Sequence, residues 1–262
     1  MNTGIAVIAH DRPDYLYICL DALHRAKGIE EYDIWIFFDG GLTPEIRQAQ
    51  NDVLGEFPMV RPYFHETAQP TGILQSITRA LYMMSQQYER TFYIEDDHLV
   101  RPDILEVLNK TDQKGFFLCM TGGSEYLSND YRARGNVITT VNFSRLYSWL
   151  ERKKYYGLKD GAGRIMTAET TSHDAVYGAF LIHEKEQTQF VKGYYVAHFG
   201  LFGKNSRKEN ATTEALALHH KIFTGAKEIW MQNVIDILGE GDYSDDLRLS
   251  LWPKGFNYRG AI

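Results

Sequence analysis

The sequence lacks most of the features that would place it at a glance. Only two cysteines, Cys19 and Cys119, occur among its 262 residues. Cys19 falls on the apolar stripe of an expected helix, so a disulfide framework is not expected and a reducing compartment, the cytoplasm, is. No apolar stretch approaches the roughly 20 residues of a membrane span. The opening MNTGIAVIAHDRPD carries no basic leader, and a soluble protein is expected. Neither sign of charge dominates: 28 basic against 34 acidic residues give a net charge of −6. That balance supplies no global field for nucleic acid or anionic membrane, so partners must be sought in local patches. Internal repeats, low-complexity segments and long linkers are missing too. So is a glycine-rich phosphate loop after the first apolar run, where AHDRPDY stands instead.

What is present is an alternation of two periodicities. GIAVIAH (4–10) reads as a short buried strand, and Leu16, Cys19, Leu20 and Leu23 then recur at helical spacing up to Gly28. YDIWIFFDGG (32–41) is a second strand closed by glycines. TPEIRQAQNDVLGEF (43–57) opens as a helix, with Thr43 as cap and Pro44 behind it. MVRPYFHE is a weaker third strand, Ile73 to Leu81 mark a helix, and TFYIEDD (91–97) is a fourth strand. RPDILEVLNK then reads as a short helix and GFFLCMTGG as another strand. Alternation of this kind predicts an α/β fold, a mostly parallel sheet covered by helices on both faces.

Ligands of open α/β sheets bind beyond the carboxyl ends of the strands. Three expected strands end in polar groups there: His10, Asp11 and Arg12 after the first, Asp39 with Gly40 and Gly41 after the second, and Glu95, Asp96 and Asp97 after the fourth. Asp39 alone reads as readily as a turn cap, and Asp11 or Arg12 as a helix cap. The triplet is harder to assign to a turn. Crowded carboxylates raise one another's pKa unless a cation or strong donors compensate. Hard carboxylate oxygens at a strand end suit Mg²⁺ or Mn²⁺, above all where a substrate phosphate adds further oxygens.

In that order, IAVIAHDRPDYLYICLDAL, FFDGG and YIEDDHLVRPD resemble the nucleotide-sugar-binding half of N-acetylglucosaminyltransferase I and related GT-A glycosyltransferases. The resemblance covers roughly the first 125 residues. It implies a Rossmann-type mixed sheet flanked by helices, with a donor half (1–125) and a more variable acceptor half (126–262) in one compact unit. It implies a nucleotide-sugar donor, in particular a UDP-sugar, and Mn²⁺ or Mg²⁺. Among the donor-binding residues, Asp11 would lie beside Arg12, and Arg12 and Asp39 would contact the base, Asp39 accepting from a uracil N–H. Glu95 and Asp96 would lie along the ribose and sugar, and Asp97 would hold the metal on the diphosphate.

Beyond Gly123 the resemblance fades. TTSHDAVYGAFLIH (170–183) places His173 and Asp174 before an apolar run that reads as a strand. In an inverting reaction a base must face the acceptor hydroxyl; Asp174 is the candidate, with Asp160 and Glu169 as rivals. His198, followed by Gly200, resembles the late metal-binding histidine of GT-A enzymes. Gly200 and Gly203, with Lys204 and Arg207, read as a lid over the diphosphate. The stretch 144–164 interleaves Arg145, Arg152, Lys153, Lys154, Lys159 and Arg164 with Tyr147, Trp149, Tyr155 and Tyr156. Such a pattern can stack on nucleic acid or sugar, but a helix with one aromatic buried face accounts for most of it. The acceptor stays open between a glycan, a small molecule and nucleic acid. The segments after residue 211 read as two packing helices. Set beside the transferase are two alternatives: a sugar-nucleotide pyrophosphorylase, which AHDRPDY disfavours, and a non-catalytic nucleotide- or glycan-binding module.

Overall fold

The computed structural model describes residues 2–198 except Gly123, Arg134, 160–162, Arg164, Glu169 and Thr171. Its frame is an eight-stranded mixed sheet. In chain order the strands and helices run β1 (Thr3–Ala9), α1 (Pro13–His24), β2 (Ile34–Phe38), α2 (Pro44–Glu56), β3 (Val60–Phe64), α3 (Ile73–Ser85), β4 (Arg90–Glu95), β5 (His98–Val100) and α4 (Ile104–Lys110). There follow β6 (Phe117–Cys119), β7 (Thr121–Gly122), β8 (Tyr126–Ser128), β9 (Asn136–Thr139), α5 (Thr140–Glu151), α6 (His173–Glu184), β10 (Thr188–Phe190), β11 (Gly193–Tyr194) and β12 (Val196–His198). The main sheet has the order β3-β2-β1-β4-β9-β6-β10-β8. Strands β3, β2, β1 and β4 are parallel, β9 is antiparallel to both β4 and β6, and β10 is parallel to β6.

Every strand and helix expected up to residue 119 is present, for the reasons read from the pattern. Strand β1 is buried along its whole length, because alternate residues face opposite layers. Ile5, Val7 and Ala9 join Leu16, Cys19, Leu20 and Leu23 of α1 and Ile104, Leu105 and Leu108 of α4 in one core. Ala6 and Ile8 join Leu74, Ile77, Leu81 and Met84 of α3 and the inner faces of α5 and α6 in the other. Cys19 and Cys119 are both buried free thiols. The Thr43 side chain accepts from the Ile46 N–H and Pro44 occupies the first turn, so α2 starts where its cap predicts. Strand β3 carries Pro62 at the sheet edge, where a missing N–H leaves no ladder bond unmade.

One expectation is corrected. The run after Asp174 is not a strand but α6, capped by Ser172, whose hydroxyl accepts from Ala175 N–H. Val176, Tyr177, Phe180 and Leu181 are buried at helical spacing, and a short apolar run cannot by itself tell the two periods apart. The basic-aromatic stretch is helical only to Glu151. Trp149 is buried against Phe180 and Tyr155, Arg145 pairs with Glu186 and lies over Phe116, and Lys154 pairs with Glu184. Of its aromatics Trp149 fills the core, Tyr147 and Tyr155 are half-buried, and Tyr156 is exposed. Among the described residues, no helix is long and apolar enough to cross a membrane.

Candidate active site

The carboxyl ends of β2, β1 and β4 lie side by side, and the chain leaves each strand through a backbone bond to β1. Asp39 N–H donates to Ala9 C=O at 3.1 Å and Asp96 N–H donates to Ile8 C=O at 2.9 Å. The three polar strand ends therefore open on one crevice. Gln50 of α2, fully buried, donates to the His10 carbonyl and pins the turn that carries Asp11 and Arg12. Asp11 is exposed at the rim.

The carboxylate triplet is tolerated because cations reach it. One guanidinium nitrogen of Arg12 donates to Asp96 Oδ1 and the other to Asp97 Oδ2 at 3.0 Å, the second clasp being 85 residues away in sequence. His198 Nε2 stands 3.4 Å from the same Asp97 oxygen. Burial alone would push the Asp97 carboxyl up; His198 and Arg12, with a smaller contribution from His98, overcome it and hold it far below the usual range. Asp96 is left with the balance of burial over Arg12 and is pushed up to about 6. Glu95, half-buried and flanked by Asp97, Asp174 and Asp96, is pushed well above the ordinary range, burial being the main cause.

A short second sheet places His198. Strand β12 pairs antiparallel with β5 so that His198 lies opposite His98, one residue after Asp97. Thr121 anchors this pairing by donating its hydroxyl to the Val196 carbonyl at 2.7 Å. Asp97, His98 and His198 offer ligand atoms within 4.8 Å of one another. They differ in what those atoms can do. The Glu95 N–H donates to His98 Nδ1 at 2.9 Å, which puts the proton of neutral His98 on Nε2 and makes that nitrogen a donor rather than a ligand. Asp97 Oδ1, by contrast, is buried and makes no hydrogen bond. An unpaired buried carboxylate oxygen next to the imidazole of His198 is a donor pair that fits a divalent cation with open positions.

Asp39 is the most heavily bonded carboxylate here. Oδ1 accepts from Gly40 N–H and the Thr71 hydroxyl, at 2.8 and 2.6 Å. Oδ2 accepts from Thr71 N–H and Gly72 N–H at 3.0 and 2.9 Å. The four acceptor sites of a carboxylate are thereby occupied, and the carboxylate anchors the loop that leads into α3. Burial would raise its pKa; the bonds from Thr71, Gly72 and Gly40 win and lower it. Gly40 is required for close approach: a Cβ there would stand 1.7 Å from Thr67 Oγ1.

On the other flank, α6 brings His173 and Asp174 to Glu95. His173 Nε2 lies 3.2 Å from Asp174 Oδ1 and 3.8 Å from Glu95 Oε1. Of the expected site residues, Asp11, Arg12, Asp39, Glu95, Asp96 and Asp97 follow the carboxyl ends of β1, β2 and β4, His198 stands beside Asp97, and Asp174 is linked to Glu95 through His173. Asp160, Glu169, Lys204 and Arg207, the expected lid, and the expected C-terminal helices lie outside the described residues. Sequence reasoning passed over Gln50 and Thr71, which hold site loops through bonds no local pattern announces. It also passed over the buried ring set of Tyr131 and Tyr177 around His173, although Tyr131 stands among charged residues in NDYRARG, where a buried aromatic is unusual.

This arrangement of a mixed sheet flanked by helices is a GT-A-like glycosyltransferase fold. It is shared with TarS residues 1–349 of S. aureus in complex with UDP-GlcNAc, at TM-score 0.52 and 11% identity over 92% of this chain and 72% of that one. Weaker likenesses are to an active-site mutant of LgtC (TM-score 0.48, 14% identity, 84% of this chain and 95% of that one) and to 4-diphosphocytidyl-2C-methyl-D-erythritol synthase of Anaerococcus prevotii (0.43, 14%, 74% and 88%). Against a longer TarS chain the match covers 36% of that chain's length. No family model matches the sequence, and no curated protein does.

Proposed function

We propose that the protein transfers a sugar from a nucleoside-diphosphate sugar to an acceptor hydroxyl, with inversion, using Mn²⁺ or Mg²⁺ held by Asp97 and His198. The observation that carries this reading is Asp97 at the carboxyl edge of β4, whose Oδ1 is buried and unbonded while its Oδ2 stands 3.4 Å from His198 Nε2. UDP-sugars are the favoured donors, since the TarS structure with this fold holds UDP-GlcNAc. Residues 1–125 form the donor half in this reading and 126–262 the acceptor half.

When bound, the cation would neutralise the charge that develops on the departing diphosphate. The chain supplies the rest. Arg12 clasps Asp96 and Asp97 together and favours their charged forms, Asp97 staying far below the usual carboxylate range while burial still pushes Asp96 up to about 6. The Asp39-bound loop at Thr71 and Gly72 shapes the floor on which the base lies. Glu95 and Asp96 border the sugar, and Asp174, exposed at the start of α6, accepts the acceptor's proton. Lys204 and Arg207 are assigned to the diphosphate.

The test is a panel of UDP-, GDP- and ADP-sugars incubated with protein and Mn²⁺, read as released nucleoside diphosphate. Release that chelator stops and Asp97→Asn abolishes supports the transferase. Tight metal-dependent binding of nucleotide with no release from any donor would make the protein a binding module. Pyrophosphate-dependent formation of nucleoside triphosphate would make it a pyrophosphorylase.

A further inference from the structure

His173 opens α6 at 5% exposure, while Asp174 beside it is exposed. The Ser172 cap fixes where the helix begins and hence which way both side chains leave it. The His173 ring is held edge-on by Tyr131 and Tyr177, each with its centroid 5.9 Å away at 86° and 81°. Those two rings are themselves fixed. The Tyr131 hydroxyl meets that of Tyr93 at 2.6 Å, and the Tyr177 hydroxyl meets Thr78 Oγ1 at 3.3 Å. The imidazole is thereby confined, with Nε2 3.2 Å from Asp174 Oδ1 and 3.8 Å from Glu95 Oε1. Burial lowers the His173 pKa against the opposing pull of Asp174, so the ring is neutral near pH 7. The nearer neighbour of Nε2 is a carboxylate oxygen, which accepts and does not donate, so Nε2 carries the ring's hydrogen.

A buried imidazole clamped by two tyrosines could serve packing alone, but packing does not require a nitrogen facing two carboxylates. Resting on the transferase reading above, we propose that His173 is a positioning residue, whose Nε2–H holds the Asp174 carboxylate at the sugar end of the donor crevice for the acceptor hydroxyl. In the step it serves, the acceptor O–H bond breaks and its proton passes to Asp174. The acceptor oxygen bonds to the anomeric carbon as the bond to the diphosphate breaks, its electron pair remaining on the phosphate oxygen. Without His173 the Asp174 side chain, otherwise solvated at the first turn of a helix, samples several rotamers, and the rate falls while donor affinity does not.

The experiment uses water as acceptor: Mn²⁺-dependent hydrolysis of UDP-GlcNAc, UDP-glucose and UDP-galactose, read as UDP released, beside calorimetric titration of UDP with Mn²⁺. His173→Phe keeps a ring between Tyr131 and Tyr177 but removes the donor. It is expected to lower kcat about 30-fold or more, within the range of a misplaced general base, with the Kd for UDP unchanged. His173→Gln, whose amide nitrogen reaches the place of Nε2, is expected to recover most of that loss. His173→Phe added to Asp174→Asn is expected to cost nothing further, because His173 acts through Asp174. A His173→Phe variant with wild-type kcat would overturn the inference, as would Phe and Gln variants equally slow and equally destabilised, the mark of a packing role. Wild-type protein that binds UDP with Mn²⁺ but releases nucleoside diphosphate from no donor in the wider panel overturns the transferase reading, and this inference with it.

Discussion

Replacing Asp39 separates two roles that its place at the end of β2 allows. Its carboxylate accepts from four donors, Gly40 N–H, Thr71 N–H, the Thr71 hydroxyl and Gly72 N–H. Hydrogen bonds to an ionised group are each worth about 1.5–3 kcal/mol net. Thr71 and Gly72 are only half-buried, so water replaces part of what is lost. Asp39→Ala is accordingly expected to cost about 3 kcal/mol in urea unfolding, or about 6–12 °C in Tm for a domain of this size. Asp39→Asn should recover little, since its amide group turns a donor toward backbone N–H groups. The folded-state pKa lies below the ordinary 3.8. The stabilisation is therefore complete above that value and disappears as pH falls through the lower folded-state pKa. The wild-type–Asn gap should hold steady from pH 7 to about pH 5 and close below about pH 4. Because every acceptor site is occupied by the loop, nucleotide affinity should fall by the same factor for UDP and ADP. A gap under about 0.5 kcal/mol at pH 7 would refute the structural role. Loss confined to UDP would show that Asp39 reads the uracil N–H directly.

Asp97→Asn should abolish the tightening of UDP binding that Mn²⁺ gives over chelator; calorimetry showing equal metal dependence in wild type and variant would remove Asp97 from the metal. Arg12→Met strips two buried carboxylates of their shared cation and should cost about 3–5 kcal/mol in urea unfolding, and Arg12→Lys, which cannot span both acids, should recover less than half. Gly40→Ala should destabilise by about 1–3 kcal/mol through overpacking, and Thr67→Gly in the same chain should relieve most of that if the clash with Thr67 is the cause.

How far the sequence could be read follows from where each element's information lies. Strands β1, β2 and β4 and helices α1 to α3 were legible because their burial pattern is periodic and their ends carry local punctuation: Pro13, the Thr43–Pro44 pair, and the glycines after Asp39. The error at α6 arose in a run where nearly every position is apolar or small, so that neither period stands out. Only the Ser172 hydroxyl and Asp174, a first-turn charge that reads equally well as a base, mark it as a helix start. Strands β5 and β12 were not foreseen as a pair at all. Three residues long, each is specified by a partner about 100 positions away and not by its own sequence.

The site divides along the same line. The three acidic residues after β4 were legible as a cluster needing positive charge, and Arg12 at the first strand end supplies it, while β12 brings the His198 imidazole to Asp97. What the sequence could not rank was the triplet's members, because ionisation depends on which oxygen each cation reaches. Arg12 divides its two donors between Asp96 and Asp97, but His198 approaches Asp97 alone. That asymmetry drives Asp97 down and leaves Asp96 pushed up to about 6, while burial and the neighbouring carboxylates push Glu95 well above its ordinary range. Three chemically similar neighbours are thus set apart by which of their oxygens the guanidinium and the imidazole reach.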